Sequence, residues 1–311
     1  MPLFQIAKDK LSPIAQGNVL AEKELQRLIE SNLAAVFSCR FVATEFPTGA
    51  QHAGRIDTLA LSEDDNPVII EYKKVESSEL VNQSLYYLAW IHDHRGDFEI
   101  AVQKELGKAA SVDWSDVRVI CIAPNYKKYD LHAVQVMGAN IELWTYRFFA
   151  NSSIYLEEIL QKTYVPSGTA STGGKNPVMV AAGKKAALAR LTGSYTFEQH
   201  LADKPKPVRD LAMIVQEYIL GLDASIEEAP KKFYVAYRTS QNIVCMEVRR
   251  QKIYLFLKLD PKKVAGPQGI SRDVSAIGHF GTGDLEITLK TPADFQAAKS
   301  FIEKAYGEVG G

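Results

Sequence analysis

GRIDTLALSEDDNPVIIEYKK, residues 54–74, sets two apolar runs on either side of a polar turn and closes on Glu71-Tyr72-Lys73-Lys74. RIDTLALS (55–62) and PVIIEYKK (67–74) are rich in β-branched and apolar residues, and EDDN between them suits a turn, so the stretch reads as two adjacent strands. Side chains alternate along a strand, which sends Glu71 and Lys73 to one face and Tyr72 to the other. In an antiparallel hairpin Asp57 can lie across from that pair, so that two carboxylates and an ammonium converge. Hard carboxylate oxygens can hold Mg²⁺ or Mn²⁺, and a lysine beside them can orient a water and offset charge building on a phosphate. An isolated lysine after a Val-Ile-Ile run is otherwise costly to place. The competing reading is a strand end carrying an ordinary surface Glu–Lys pair.

Outward from this hairpin, AEKELQRLIESNLAAVF (21–37) places Leu25, Leu28, Ile29 and Leu33 at helical spacing. FVATEF (41–46) reads as a further strand, 80–92 as a helix, VRVICIAP (117–124) as a buried strand, 126–137 as a helix and IELWTYRF (141–148) as a strand. The order αβββαβαβ predicts an α/β fold, a mixed sheet flanked by helices.

This array resembles the PD-(D/E)XK nuclease superfamily, in its RecB-like and NucS-like branches. The resemblance covers roughly residues 18–150: a helix with Glu22 and Glu24, then GRID, then VIIEYKK, then a helix containing Gln83 and Tyr87 at Q-x-x-x-Y spacing. It implies a restriction-endonuclease-like fold with Asp57 and Glu71 as metal carboxylates and Lys73 as the catalytic lysine. Gln83 and Tyr87 would share one helical face and line the cleft. Glu22 and Glu24 both fit the acid of the first helix, Glu22 better, because it stands one turn before Leu25 and Ile29 on their stripe. The proline of the superfamily's name is replaced by Ile56. Arg55 alternates onto the face of Asp57, where it could meet phosphate or pair with Glu71. His52 sits in a loop by composition, and His92 and His94, at i and i+2 on a helix end, do not converge on one metal.

The activity so implied is a Mg²⁺- or Mn²⁺-dependent deoxyribonuclease, endo or exo, in DNA repair or defence. Its partner is DNA, and cutting both strands of a duplex would call for two such sites, as in a homodimer. The alternative is a non-catalytic module that keeps the fold and binds nucleic acid or protein.

The 311 residues carry a net charge of −1, so no global basic field announces a polyanion. The balance is uneven: residues 1–165 hold 16 basic and 22 acidic side chains, residues 183–311 hold 19 and 15. Such asymmetry alone seldom decides function. Three widely spaced cysteines exclude a disulfide framework or a CxxC metal site, and MPLFQIAKDKLSPIAQ lacks the pattern of a secretory signal. No run of about 18 apolar residues suggests a membrane span. These features predict a cytoplasmic protein.

VPSGTASTGGKNPVMVAA (165–182) reads as a linker, dividing a nuclease-like domain at 1–164 from a small α+β domain at 183–311. The latter holds a helix over 207–222, strands at 232–239, 242–249, 252–259 and 284–290, and a last helix opening at Pro292. It resembles a small domain of unknown function, sometimes labelled a predicted transport protein, that follows NucS-like domains; KKFYVAYRT, KIYLFLKLDP and SRDVSAIGHFGTGDLEITLK carry the match. In KIYLFLKL, Lys252, Tyr254, Phe256 and Lys258 alternate onto one face. If open, that face would be a nucleic-acid platform of aromatics bracketed by lysines; a covering helix is the other reading. GHFGTGD (278–284) leads into a strand and reads as a tight turn, although Ser271, Arg272, Asp273 and His279 could form a small polar pocket.

Overall fold

Leu3–Ala7 (β1) and Lys10–Ile14 (β2) form an antiparallel hairpin that the sequence pattern did not announce. The computed structural model describes residues 2–18, 20–49, 54–76, 79–137, 140–159, 195–239 and 241–309, so the linker read at 165–182 and His52 lie outside the described residues. Chain contacts separate two units, Met1–Gly193 and Ser194–Gly311.

In the first unit the helix expected over 21–37 is two helices, Glu22–Glu30 (α1) and Leu33–Phe37 (α2). Ser31 and Asn32 interrupt it: Asn32 takes a non-helical backbone and its side-chain amide donates to the Leu28 carbonyl at 2.8 Å. Such local competition for backbone groups makes these residue types poor helix interiors. Then follow Cys39–Pro47 (β3), Arg55–Ser62 (β4), Pro67–Tyr72 (β5), Glu79–Asp93 (α3), Arg95–Leu106 (α4), Arg118–Ala123 (β6), Lys128–Met137 (α5), Ile141–Phe148 (β7) and Ile154–Glu158 (β8). The sheet order is β3-β4-β5-β6-β7-β8, antiparallel except for β5–β6 and β6–β7, which run parallel. This is the mixed α/β fold expected from the sequence.

Both faces of this sheet are buried. Leu25, Ile29, Leu33 and Phe37 of α1 and α2 pack on Val68, Ile70, Tyr72, Ile120 and Ile122. Leu85, Leu88, Trp90 and Phe98 of α3 and α4 pack on Leu59, Leu61, Ile69, Val119 and Cys121. Consecutive strand residues serve opposite cores, which is why PVII and VICIA are continuous apolar runs. Each buried Leu, Ile or Phe contributes roughly 1.5–3 kcal/mol. All three cysteines are buried and none forms a disulfide, and burial pushes the thiols of Cys39 and Cys121 up to about 12.

The second unit comprises Phe197–Leu201 (α6), Lys206–Leu220 (α7), Glu227–Pro230 (β9), Val235–Arg238 (β10), Asn242–Val248 (β11), Ile253–Leu257 (β12), Ser271–Asp273 (β13), Leu285–Leu289 (β14) and Pro292–Glu308 (α8). Its sheet, ordered β13-β14-β12-β11-β10-β9, is antiparallel throughout. Val215, Ile219, Phe295 and Ile302 from the helices fill one face against Val244, Met246, Leu255 and Ile287. Thr291 caps α8 by accepting from the Asp294 amide, with Pro292 as the first helical residue. No helix among the described residues is long and apolar enough to cross a membrane.

Candidate active site

The β4–β5 ladder carries paired residues as far as Thr58 opposite Ile70, and the next step is taken by side chains. The Asp57 amide donates to Glu71 Oε1 at 3.0 Å, and the Tyr72 amide donates to Asp57 Oδ2 at 3.1 Å. Two carboxylates are thereby held at the end of the hairpin in place of ladder carbonyls. On its other side β5 stays in register with β6, Glu71 opposite Cys121, and the Lys73 amide continues the pairing by donating to the Ile122 carbonyl at 2.9 Å. Glu71 is fixed between two strands and fully buried.

Burial pushes the Glu71 carboxyl well above the ordinary carboxylate range, and the neighbouring charge of Asp57 pushes it further. Burial likewise raises Asp57, while the Tyr72 amide and the Lys73 ammonium pull it back. Glu71 Oε2 is buried with no hydrogen-bond partner among the described residues. Two crowded carboxylates and one orphaned oxygen suit a divalent cation that takes hard oxygen ligands. No group of three or more His, Cys, Asp or Glu side chains poised for a metal occurs among the described residues. A pair of carboxylates matches the demand of Mg²⁺, which keeps several waters and takes phosphate oxygens as further ligands.

Lys73 lies just past the strand end, half-buried, with Nζ 3.8 Å from Glu22 Oε1. The other Glu22 oxygen accepts from the Lys74 amide at 3.1 Å. Glu22 opens α1, so the helix start delivers one acid to the lysine. Glu24, its alternative by sequence, turns back to accept from the Ala21 amide at 2.8 Å and caps the helix. On α3, Gln83 donates to the Tyr87 hydroxyl at 3.0 Å, and that hydroxyl donates to the Arg55 carbonyl at 2.7 Å. Tyr87 therefore clamps the start of β4, and its hydroxyl is pushed up by burial and by the charges of Glu71 and Asp57. Gly54 makes room for this clamp: a Cβ there would stand 3.0 Å from the Tyr87 hydroxyl oxygen.

Arg55 does not pair with Glu71. Its side chain is exposed and lies 3.3 Å from Glu45 Oε2. Glu45, which the sequence reading passed over, falls on β3 between the pairs Thr44–Thr58 and Phe46–Ile56, opposite Asp57 of β4, in left-handed backbone at φ 49°. Gln26 was also missed. It is buried on α1 and donates to the Asp57 carbonyl at 2.7 Å, to Thr44 at 3.1 Å and to Glu30 at 3.1 Å. Glu30 in turn accepts from Thr58 at 2.7 Å. A glutamine beside Leu25 on the buried stripe was the available signal. A cleft of about 470 Å³ lined by Phe46, Trp90, His94 and Lys104 includes none of Asp57, Glu71 and Lys73.

In the second unit Tyr254 is half-buried, with the Lys252 ammonium 4.6 Å above its ring. Phe256 is only 2% exposed, beneath the His279 ring, so of the two readings of this strand face the covered one holds at that position. The cover is the segment after β13, not a helix. Lys258 is half-buried past the end of β12. Of the residues read as a polar pocket, Arg272 pairs with Glu286 and Asp273 accepts from Ser275, while Ser271 donates to the Pro267 carbonyl.

An uncharacterized protein of Haemophilus influenzae is 30% identical over 309 residues, 98% of this chain and 99% of that one. The family model described as a domain of unknown function, DUF5655, matches residues 197–308. Among solved structures, a repair endonuclease from Pyrococcus abyssi is 20% identical with a TM-score of 0.26, over 41% of this chain and 48% of that one. An EndoMS–dsDNA complex is 18% identical with a TM-score of 0.25, over 43% and 50%. The chain thus spans about half the length of these two solved structures.

Proposed function

The chain belongs to the same family as the uncharacterized Haemophilus influenzae protein along nearly its whole length, and from its own residues we propose that it is a metal-dependent deoxyribonuclease. The observation that carries this reading is the reciprocal Asp57–Glu71 arrangement, with Glu71 Oε2 left without a partner and Lys73 at the same strand end. Asp57 and Glu71 would hold Mg²⁺ or Mn²⁺, which when bound supplies a Lewis acid that polarises a phosphodiester and makes a water more acidic.

The remaining work falls to the chain. Lys73, kept near Glu22, can donate to an attacking water, orient it toward phosphorus and offset the negative charge that grows on the phosphate oxygens. Glu22 holds the ammonium in place, and the proton that leaves the water is released to solvent. Gln83 and Tyr87 fix the entry to β4, on which the position of Asp57 depends. Exposed Arg55 is suited to a flanking phosphate. On this reading the protein serves DNA repair or defence, and a homodimer would supply the second site needed to cut both strands of a duplex.

The test is cleavage of labelled single-stranded, duplex, branched and mismatched DNA with Mg²⁺, Mn²⁺ or EDTA, wild type beside Lys73→Ala and Asp57→Asn. Metal-dependent cutting lost in both variants supports the reading. Cutting that persists in Lys73→Ala refutes the mechanism, and binding without any cutting replaces the enzyme with a non-catalytic module on the same fold.

A further inference from the structure

Among the described residues the helices of the second unit pack on one face of its sheet, and the cluster on the other face includes no helix residue. On the other face the register sets two rows of side chains: Glu247, Tyr254 and Thr288 in one, and Cys245, Phe256, Glu286 and Arg272 in the next. The chain between β13 and β14 crosses this face. His279 stacks flat on Phe256 at 4.2 Å, and Phe280, the next residue, stacks on Phe233 at 4.2 Å. Phe233 and Phe280 are 46% and 43% exposed, an unusual position for a stacked pair of large apolar rings.

Cations accompany the rings. The Lys232 ammonium stands 5.1 Å over Phe233 and the Lys252 ammonium 4.6 Å over Tyr254. Arg249 and Arg272 have exposed side chains, yet each is tied to a buried carboxylate, Glu247 and Glu286, the latter at 2.6 Å. A buried carboxylate occupies one edge of a guanidinium and fixes its plane, leaving the outward N–H groups to meet another acceptor. The arginines are thus pre-oriented at low further cost in side-chain entropy.

We propose that this face binds single-stranded nucleic acid. Tyr254 and the Phe233–Phe280 pair stack on bases, while Lys232, Arg249, Lys252 and Arg272 meet phosphates. Unstacked bases are what exposed rings can engage; a duplex offers the same cations its phosphates but keeps its bases stacked. An acidic peptide would use the charges and leave the rings idle. The proposal is independent of the nuclease reading, because nothing in it requires Asp57, Glu71 or Lys73.

The experiment is fluorescence anisotropy of the full chain in EDTA with a labelled oligo-dT strand, an oligo-U strand and a duplex of the same length, across a salt series. The single strands are expected to bind more tightly than the duplex. Phe280→Ala is expected to weaken single-strand binding about 10-fold, within the range of one lost base stack. Arg272→Ala is expected to reduce the salt slope by about one phosphate contact. Phe280→Ala truncates an exposed ring, and an unchanged melting temperature checks that it folds. Tighter binding of the duplex, binding of none of the three, or binding undiminished in both variants overturns the proposal. Cleavage activity, present or lost, does not enter the readout, so failure here and failure of the nuclease reading are told apart.

Discussion

Asp57 and Glu71 are joined through each other's strand: the Asp57 amide donates to the Glu71 carboxylate at 3.0 Å, and the amide following Glu71 donates to the Asp57 carboxylate at 3.1 Å. The exchange ends the β4–β5 ladder without leaving either amide unsatisfied, and it brings two carboxylates together where burial raises the proton affinity of both and the charge of Asp57 raises that of Glu71 further. A hairpin that ends on ordinary residues gains nothing from such crowding. The arrangement stores electrostatic cost that a bound cation can relieve.

That cost gives stability a pH dependence of definite sign. Both carboxyls titrate above their ordinary range in the folded protein, so above that range the native state holds protons that the unfolded chain has released. Their contribution is fully present below the unfolded pKa and is lost as pH rises through the folded values. Without divalent cation, Glu71→Gln is expected to melt above wild type at about pH 8, with the gap narrowing toward about pH 5. Mg²⁺ at 100 times its Kd should stabilise wild type by about 2.7 kcal/mol and Glu71→Gln by much less. Thermal melts in both buffers, with and without Mg²⁺, decide it; an unaltered wild-type melt at every Mg²⁺ concentration removes the metal from the site.

Lys73 makes its side-chain contact with Glu22 and is absent from the apolar cores, so its loss should spare the fold. Lys73→Ala is expected to reduce cleavage by about 10²–10⁴-fold, the usual range for a positioned proton-transfer group. Mg²⁺ stabilisation should persist in this variant, since the carboxylates remain. Cleavage rates and melting curves of one preparation separate the two roles.

The hairpin was readable because its chemistry lies in local pattern: period-two alternation, a polar turn and charged residues at a strand end. Glu22 against Glu24 was harder, because both acids open the same helix and the backbone amide of Ala21 claims one of them. Gln26 reaches β3 and β4 from α1, and Glu45 meets β4 only through strand pairing, contacts between residues distant in sequence that no local rule carries. Arg95–Leu106 escaped notice for a different reason: it buries only Phe98 and Val102, a stripe too narrow to impose a helical period. Sequence left the second face of β12 open to two readings, because the cover of Phe256 is His279, supplied by a distant loop.

Gln26 ties α1 to β4 through the Asp57 carbonyl and to β3 through Thr44, and within α1 it donates to Glu30. Gln26→Leu is nearly isosteric but strands the buried acceptors it served. A loss of about 1–3 kcal/mol in denaturant unfolding is expected, with cleavage reduced as Asp57 loosens. Gln26→Glu leaves a buried acid beside Glu30 and should be worse. Stability equal to wild type in Gln26→Leu would mean that the amide holds nothing in place.

Gly283 tests how the loop over the second sheet is held. Its backbone sits at φ 126°, and a Cβ there would approach the Leu257 carbonyl carbon and oxygen at 2.7 Å, with no flexible side-chain end to give way. Gly283→Ala therefore combines strain from a conformation that L-residues rarely adopt with displacement of the loop from β12. A loss of at least about 1–3 kcal/mol is expected. If the loop lifts, His279 leaves Phe256, and that ring becomes accessible. Hydrogen exchange across β12 and β14, compared between wild type and Gly283→Ala, reads that lifting directly; unchanged protection with an unchanged melting temperature would show that the loop accommodates the methyl group without leaving the sheet.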